Sequence, residues 1–369
     1  MTATLTSSYR NEQAQGEMAQ AAAKAAIGDV NRQGGIAGRT AELVVLHNHG
    51  VASESEKPLQ ELIDKGGVDA HLTVGDVVPA ITLPVARDAK ILSFNGQTAG
   101  DTADPAKYPL NFDMLPERTR IGDGLEEDLK LRGAKRIGLL TESLSGATSV
   151  QDDIAAALKG SPFTLVGTEQ FDGPTGPRGA LRSLKAKKVD TVLYWDEGHR
   201  LDAVLEAKED LGWAGPVDVL NDDVMRVRRV DQRNSGVSVL VYRSARNYDN
   251  PPEVKRAVTL MKGAGGLPAD ASLMEAYPWD AIHLIKAAAD EVGSADDAQA
   301  LARALEDPQV QSRASTIVLP TYAFTADLHR PTVTGEDFVL VPPNTLVNGQ
   351  YQFDPHSYRD LVMPSRPPE

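Results

Sequence analysis

The chain lacks cysteine altogether, although it has 369 residues. This absence excludes disulfide bonds, cysteine-ligated zinc sites, cysteine nucleophiles and lipid attachment to cysteine. Long apolar runs are also missing, and none approaches the roughly 20 residues that a membrane-spanning helix needs. Aromatic residues make up 5% of the chain, yet hydrophobic residues make up 41%, as in an ordinary globular protein. The composition therefore favours a folded protein, and the length predicts about two domains.

Positive charge is scarce in this sequence. The 38 lysines and arginines are outnumbered by 52 aspartates and glutamates, which gives a formal net charge of -14. An acidic surface repels phosphate backbones and anionic lipids, so we expect no nucleic-acid partner. The best basic candidate, formed by Arg226, Arg228 and Arg229, is short and lacks interleaved aromatic residues. It is typical of a solvated helix face.

Sequence motifs of catalysis and cofactor binding are absent. The chain contains no Walker A loop, no G-x-G-x-x-G, no G-x-S-x-G and no H-E-x-x-H. His47 and His49 lie two residues apart, but no third metal ligand is near them in the sequence. We therefore predict a protein that is not an enzyme and that carries no cofactor and no metal. His283, Trp213 and Trp279 are expected to be packing residues.

The fold is predicted from the alternation of short apolar runs with helical patterns, which is typical of a parallel sheet covered by helices. The first helix carries Met18, Ala22, Ala26 and Val30 on one face, and it ends at Gly34–Gly35. Predicted strands lie at 43–46, 70–74, 90–93, 136–140, 164–166 and 189–194. Because the alternation repeats after residue 116, we expect two similar α/β lobes.

Ligands of open α/β sheets bind beyond the carboxyl ends of the strands, so the residues that follow each strand are the candidates for a binding site. The candidate ligand-binding residues are Asp76, Phe94, Asn95, Gln97 and Thr98 in the first lobe and Ser143, Trp195, Glu197, Asp222 and Asp223 in the second. Hydrogen-bonding groups mixed with aromatic rings suit the recognition of a small polar molecule.

Several of these candidates also have a structural interpretation. Asn95, Gln97 and Thr98 are equally typical of a helix cap or a tight turn. Asp222 and Asp223 are also suited to capping the segment that follows them. These alternatives stay open at the level of sequence.

Four segments, in the same order along the chain, resemble the type I solute-binding proteins of ABC importers, and in particular their branched-chain amino-acid-binding branch. The most specific is the run Asn31 to Gly38, which reads Asn-x-x-Gly-Gly-Ile-x-Gly. The others are 131–140, 276–282 and 324–331, and the similarity extends from residue 4 to about residue 353.

The resemblance implies two Rossmann-like lobes joined by three crossovers, which close on a ligand by hinge motion. The first lobe would comprise 1–118 with 247–324, and the second 119–246 with 325–369. The implied function is the substrate-binding subunit of an ABC importer, acting outside the cytoplasm with a membrane permease. The chain starts without a signal peptide, so a removed leader is expected. The alternative is a cytosolic sensor of the same fold, of the amide-sensing type, that acts through a protein partner.

Departures from the family pattern bear on the ligand. Amino-acid binders of this family carry hydroxyl residues after the third strand, whereas this chain has Asp76, whose carboxylate would repel the carboxylate of an amino acid. Ser143 begins a loop in which an aromatic residue is usual, while Asp222 or Asp223 matches the ammonium-binding position. We therefore expect a small polar, amide or aromatic solute, including amino-acid-like compounds.

Overall fold

The computed structural model describes residues 1–7, 13–46, 48, 51–74, 78–96, 100–131, 133–143, 147–173, 176–195, 200–220, 236–248, 250–268, 271–341 and 346–352. The chain forms two compact units. Unit 1 comprises Met1–Glu117 and Asn250–Val333, and unit 2 comprises Arg118–Asp249 and Thr334–Glu369. The chain therefore passes three times from one unit to the other. The predicted α/β class with two lobes is confirmed.

The secondary-structure elements follow the predicted alternation. The strands are β1 (Thr2–Ser7), β2 (Glu42–Leu46), β3 (Ala70–Val74), β4 (Leu92–Asn95), β5 (Asn111–Asp113), β6 (Arg136–Glu142), β7 (Thr164–Phe171), β8 (Thr191–Trp195), β9 (Val217–Val219), β10 (Val237–Tyr242), β11 (Phe338–Val341), β12 (Leu346–Val347) and β13 (Gln350–Tyr351). The helices are α1 (Gln13–Arg32), α2 (Glu56–Asp64), α3 (Val78–Ala89), α4 (Ile121–Leu131), α5 (Ala147–Ala157), α6 (Pro177–Ala186), α7 (Leu201–Asp210), α8 (Pro252–Gly263), α9 (Tyr277–Val292), α10 (Ala298–Leu305) and α11 (Pro308–Gln311). Short 3-10 turns lie at Ala52–Glu54, Arg118–Arg120, Arg243–Ala245, Leu273–Ala276 and Gly335–Asp337.

Unit 1 contains a parallel sheet with the strand order β2-β1-β3-β4-β5. Leu5, Leu72, Phe94 and Phe112 stand opposite one another on successive strands, and each is at most 1% exposed. Side chains alternate between the two faces of a strand, so this row lies on one face of the sheet. It forms an apolar core layer across β1, β3, β4 and β5.

The run Asn31 to Gly38, the most specific part of the family resemblance, ends helix α1 and leads toward β2. The Asn31 side chain donates to the carbonyl of Ala41 and accepts from its N–H, at 2.9 and 2.8 Å. Gly35 has a φ of 84°, and a Cβ there would clash with the carbonyl of Arg39. Ile36, which pairs with Arg39, is 2% exposed. The motif therefore fixes the turn between α1 and the sheet, because each residue type meets a distinct steric or hydrogen-bonding demand.

Unit 2 contains a second sheet with the order β11-β10-β9-β8-β6-β7. Its strands are parallel except for β11, which runs antiparallel to β10. The strand that was expected at 164–166 extends to Phe171 as β7, and most of its residues are only half-buried or exposed. The apolar pattern underestimated the length of this strand because β7 is an edge strand, in which few side chains are buried.

The segment 325–333, which the resemblance assigns to the second lobe, lies with unit 1. The His329 ring stacks on the Phe112 ring with centroids 4.0 Å apart. The backbone carbonyl of His329 accepts a hydrogen bond from the N–H of Asp113. Arg330 forms an ion pair with Asp113. These contacts tie the segment to the end of β5.

Candidate ligand-binding site

The carboxyl edge of the unit 1 sheet carries a buried row of polar residues. Thr6, Thr73, Asn95 and Asp113 stand opposite one another on β1, β3, β4 and β5, and each is at most 2% exposed. Both faces of a parallel sheet are normally covered, and strand interiors are usually apolar, so a buried polar row needs an explanation. Sequence analysis identified only Asn95 of this row.

Asn95 is held by its neighbours along the sheet. Its Nδ2 donates to Asn111 Oδ1 at 2.9 Å, and Ser93 Oγ donates to the same oxygen at 2.8 Å. Its backbone carbonyl accepts from the N–H of Met114 at 2.7 Å. The amide is therefore oriented by a hydrogen-bond network within the sheet.

Asp113 closes the row on the β5 side. Arg330 Nη2 and Thr102 Oγ1 donate to Asp113 Oδ2 at 2.6 and 2.8 Å, and Asn111 Nδ2 donates to Oδ1 at 3.1 Å. Burial raises the pKa of Asp113, while the charge of Arg330 and these hydrogen bonds act in the opposite direction. Among the described residues, all side-chain donors to this carboxylate belong to unit 1, which gives Asp113 a structural role.

Thr6 differs from the rest of the row. It is 0% exposed, and its hydroxyl has no hydrogen-bond partner in the part of the chain that the structure describes. Buried hydroxyls normally find a partner, because an unpaired one costs about 1–3 kcal/mol. Among the described residues the Thr6 hydroxyl is therefore a buried polar group of this row whose hydrogen bonding is unsatisfied.

Tyr277 is a further residue at this edge that sequence reasoning missed. It begins helix α9, it is 2% exposed, and its hydroxyl donates to the carbonyl of Thr73 at 3.2 Å. A Cβ added at Gly96 would lie 2.5 Å from the Tyr277 hydroxyl oxygen. Glycine at position 96 thus lets the ring reach the ends of β3 and β4. The sequence signal for Tyr277 was its place in segment 276–282, which resembles a segment of the family. We interpreted that segment only as part of a helix.

Phe94 does not share this position. It is 1% exposed and stacks on Phe112 with ring centroids 5.6 Å apart. Because neighbouring residues of a strand point to opposite faces, Phe94 faces away from Ser93 and Asn95. Its place in the apolar core layer gives it a packing role.

Unit 2 presents a carboxyl edge formed by β6 and β8. Glu142 ends β6, is 7% exposed, and accepts from the Tyr194 hydroxyl at 3.0 Å. Trp195 ends β8 opposite Thr141, and its side chain is half-buried. Trp195 therefore combines a backbone fixed by strand pairing with a half-buried indole, next to a strand that ends in a buried carboxylate.

Ser143 directly follows β6 and is exposed. Its backbone N–H donates to the carbonyl of Phe171 at 3.0 Å, which continues the pairing of β6 with β7. Its side chain thus lies at the same edge as Trp195, because β6 is the neighbour of β8.

The remaining candidates lie outside the described residues. They are Asp76, Gln97, Thr98, Glu197, Asp222 and Asp223, together with His47, His49 and the basic group at 226–229. Within the described ranges no cluster of three or more His, Asp or Glu side chains is arranged to hold a metal ion. A helix long and apolar enough to cross a membrane is likewise absent from those ranges.

The packing roles expected for Trp279 and His283 are confirmed. Trp279 is 0% exposed, and its indole N–H donates to the carbonyl of Ser315 at 2.7 Å. His283 is 3% exposed and stacks on Trp279 with centroids 4.5 Å apart. Its ring nitrogens lie 2.9 Å from the Trp279 carbonyl and 3.1 Å from Asp29 Oδ2.

Comparison with known proteins gives a consistent result. Residues 1–335 match the family model described as periplasmic binding protein. The Leu/Ile/Val-binding protein BraC3 of Rhizobium johnstonii is 24% identical over 327 residues, which cover 85% of each chain. A branched-chain amino-acid ABC transporter periplasmic ligand-binding protein from Burkholderia xenovorans superposes with a TM-score of 0.73 at 17% identity, covering 86% of this chain and 84% of that one. The branched-chain amino-acid transporter substrate-binding protein LivJ from Streptococcus pneumoniae, solved with isoleucine, gives 0.71 at 18% identity, covering 95% and 97%.

Proposed function

Because this chain belongs to the periplasmic binding protein family, we propose that it captures a small amino-acid-like solute and delivers it to a membrane ABC permease outside the cytoplasm. The match of residues 1–335 to the family model carries this proposal. The name of BraC3 refers to leucine, isoleucine and valine, and LivJ was solved with isoleucine. These relatives favour a ligand with an amino-acid backbone.

We propose that the ligand also carries an amide or aromatic group. The half-buried indole of Trp195 supports this, because an aromatic face at a strand end packs well against a planar or apolar group. In unit 2 the buried carboxylate of Glu142 favours a cationic group near the same edge.

The proposed role is binding without turnover. A strand end holds the backbone of Trp195, so its indole is presented to the solute with little loss of conformational entropy. Solute-binding proteins need only this recognition, since the permease performs the transport. Recovery of the ligand unchanged after incubation with the protein is expected, and accumulation of a product would contradict the proposal.

Thermal unfolding against a panel of aliphatic amino acids, aromatic amino acids, amides and polyamines tests the proposal. A ligand present at 100 times its dissociation constant adds about 2.7 kcal/mol to the unfolding free energy, which raises the midpoint by a few degrees. We expect a shift from aromatic or amide-bearing amino acids. A shift from polyamines alone would contradict the amino-acid-like assignment.

Trp195→Ala locates the ligand, and Trp213→Ala is its matched control, since Trp213 is a second half-buried tryptophan of unit 2 that follows α7 rather than a strand end. The ligand-induced shift should shrink or vanish in Trp195→Ala and persist in Trp213→Ala. Equal shifts in both variants would remove Trp195 from the site.

A further inference from the structure

A cavity of unit 1 lies toward the amino edge of its sheet, whereas Asn95 lies at the carboxyl edge. It has a volume of about 200 Å³ and is lined by residues that precede or begin β4 and β5, by the last turns of α3 and by Gln299 of α10. Because β4 and β5 are parallel, the residues before them lie at the amino edge of the sheet. This cavity is therefore separate from the carboxyl edge described above.

The walls of the cavity are apolar and aromatic. Leu83, Ile91 and Leu110 line it, and each is at most 8% exposed. The half-buried ring of Tyr108 completes the wall. A cavity of 150 Å³ with comparable apolar walls binds benzene, so about 200 Å³ accommodates one substituted ring.

Two cations, Arg87 and Lys90, also line the cavity. The Arg87 guanidinium lies 5.9 Å from the centroid of the Tyr108 ring, and its Nε donates to the exposed carboxylate of Asp88 at 2.9 Å. In the described part of the chain the Lys90 ammonium forms neither an ion pair nor a hydrogen bond. Lys90 is exposed, so its hydrated ammonium is available to pair with an anionic group of a ligand in the cavity.

The inner end of the cavity is polar and ordered. Ser93 and Asn111 line it, and the Ser93 hydroxyl donates to Asn111 Oδ1 at 2.8 Å. Asn111 Nδ2 donates hydrogen bonds to the carbonyl of Thr102 and to Asp113 Oδ1. These groups satisfy one another, so the recognition of charge falls to Lys90 and Arg87.

We propose that this cavity binds a single-ring aromatic carboxylate, with the ring between Tyr108 and the apolar wall and the carboxylate at Lys90. The proposal rests on the size of the cavity, its apolar lining and the unpartnered ammonium, and it does not depend on the ligand of the carboxyl edges. A carboxylate suits the site better than a neutral group because a charge-assisted hydrogen bond is about twice as strong as a neutral one.

Isothermal titration with benzoate tests the proposal, with benzyl alcohol as the neutral probe of similar size. We expect saturable binding of benzoate and at least about tenfold weaker binding of benzyl alcohol. Lys90→Gln should weaken benzoate binding by about tenfold. Lys107→Gln is the matched control, because Lys107 contacts the same Tyr108 ring from 5.4 Å but does not line the cavity.

Trp195→Ala separates this site from the proposed solute site in unit 2, and it should leave benzoate binding unchanged. Three outcomes would overturn the proposal: no benzoate binding, equal binding of benzoate and benzyl alcohol, or equal loss in Lys90→Gln and Lys107→Gln. Loss of benzoate binding in Trp195→Ala would indicate that benzoate binds near Trp195 in unit 2. That result would also overturn the proposal. Failure of the amino-acid panel would leave the benzoate result standing.

Discussion

The Nε2 atom of His283 lies 3.1 Å from Oδ2 of Asp29, and this contact joins helix α9 to helix α1 inside unit 1. The Asp29 carboxylate is buried, and it also accepts from Arg256 of α8 and from Gln33 just after α1. One carboxylate therefore ties three helices together. The residue belongs to the matched region around the first helix, so the resemblance has a structural basis there.

Asp29→Ala should destabilise the protein by about 3 kcal/mol, because it leaves the buried His283 ring without its acceptor and removes the buried carboxylate that pairs with the half-exposed Arg256. Urea unfolding measures the effect. Asp296→Ala is the control, since the Asp296 side chain is 73% exposed and pairs with Arg39 at the surface. That control should change the unfolding free energy by no more than about 0.5 kcal/mol. Equal effects of the two substitutions would contradict the structural role of Asp29.

Stability should fall in acid because of the same carboxylate. Burial raises the pKa of Asp29, but the hydrogen bonds and charges of His283 and Arg256 outweigh burial and lower the pKa from 3.8 to about 2. A carboxyl with a depressed pKa stabilises the folded state above its ordinary pKa, and that contribution is lost as the pH falls through the folded value. Between pH 3.8 and about 2 the wild-type protein should therefore lose up to about 2 kcal/mol through Asp29. Asp29→Asn should have a shallower pH profile in this window, and an unchanged profile would refute the assignment.

Arg330→Met should cost about 3–5 kcal/mol, because it leaves the buried carboxylate of Asp113 without its cation. Part of this loss should return in the double variant Arg330→Met, Asp113→Asn, which removes the unpaired charge. A double-mutant cycle by urea unfolding gives the coupling energy between the two side chains. Additive effects would show that the pair does not hold segment 325–333 to β5.

Thr6→Val tests the unpaired hydroxyl in the polar row of unit 1. The substitution removes a hydroxyl that has no partner in the described part of the chain, and it keeps the shape of the side chain. The free energy of unfolding, measured in urea, should therefore be unchanged or slightly higher. Thr4→Val is the matched control one row away, where the hydroxyl lies 2.7 Å from His71 Nδ1 and 3.3 Å from the carbonyl of Ala70. It should lower the free energy of unfolding, and an equal loss in Thr6→Val would contradict the unpaired state of the Thr6 hydroxyl.

Much of the fold could be predicted because short local patterns in the sequence determine its helices and strands. The apolar face of α1 and the paired glycines after it mark a helix end in the sequence, and the turn that they form is steric in origin. Short apolar runs marked β3, β4 and β6 for the same local reason. β7 was shortened in the prediction because an edge strand with half-buried residues lacks the apolar run of a central strand.

The candidate site was less predictable because its contacts join residues far apart in the chain. Tyr277 reaches Thr73 across 204 positions, and Tyr194 reaches Glu142 across 52. Strand register places Asn95 in the polar row and Phe94 in the apolar layer. A shift of the register by one residue would exchange the faces that the two side chains occupy. Sequence order alone does not supply that register.

The central claim is that the chain binds an amino-acid-like solute without transforming it. Isothermal titration of the purified chain with phenylalanine, asparagine and isoleucine, followed by recovery of the ligand, tests it most directly. We predict saturable binding of at least one of the three with one solute per chain, weakened in Trp195→Ala, and ligand recovered unchanged. Absence of heat from all three, or conversion of a bound ligand into a product, would contradict the account.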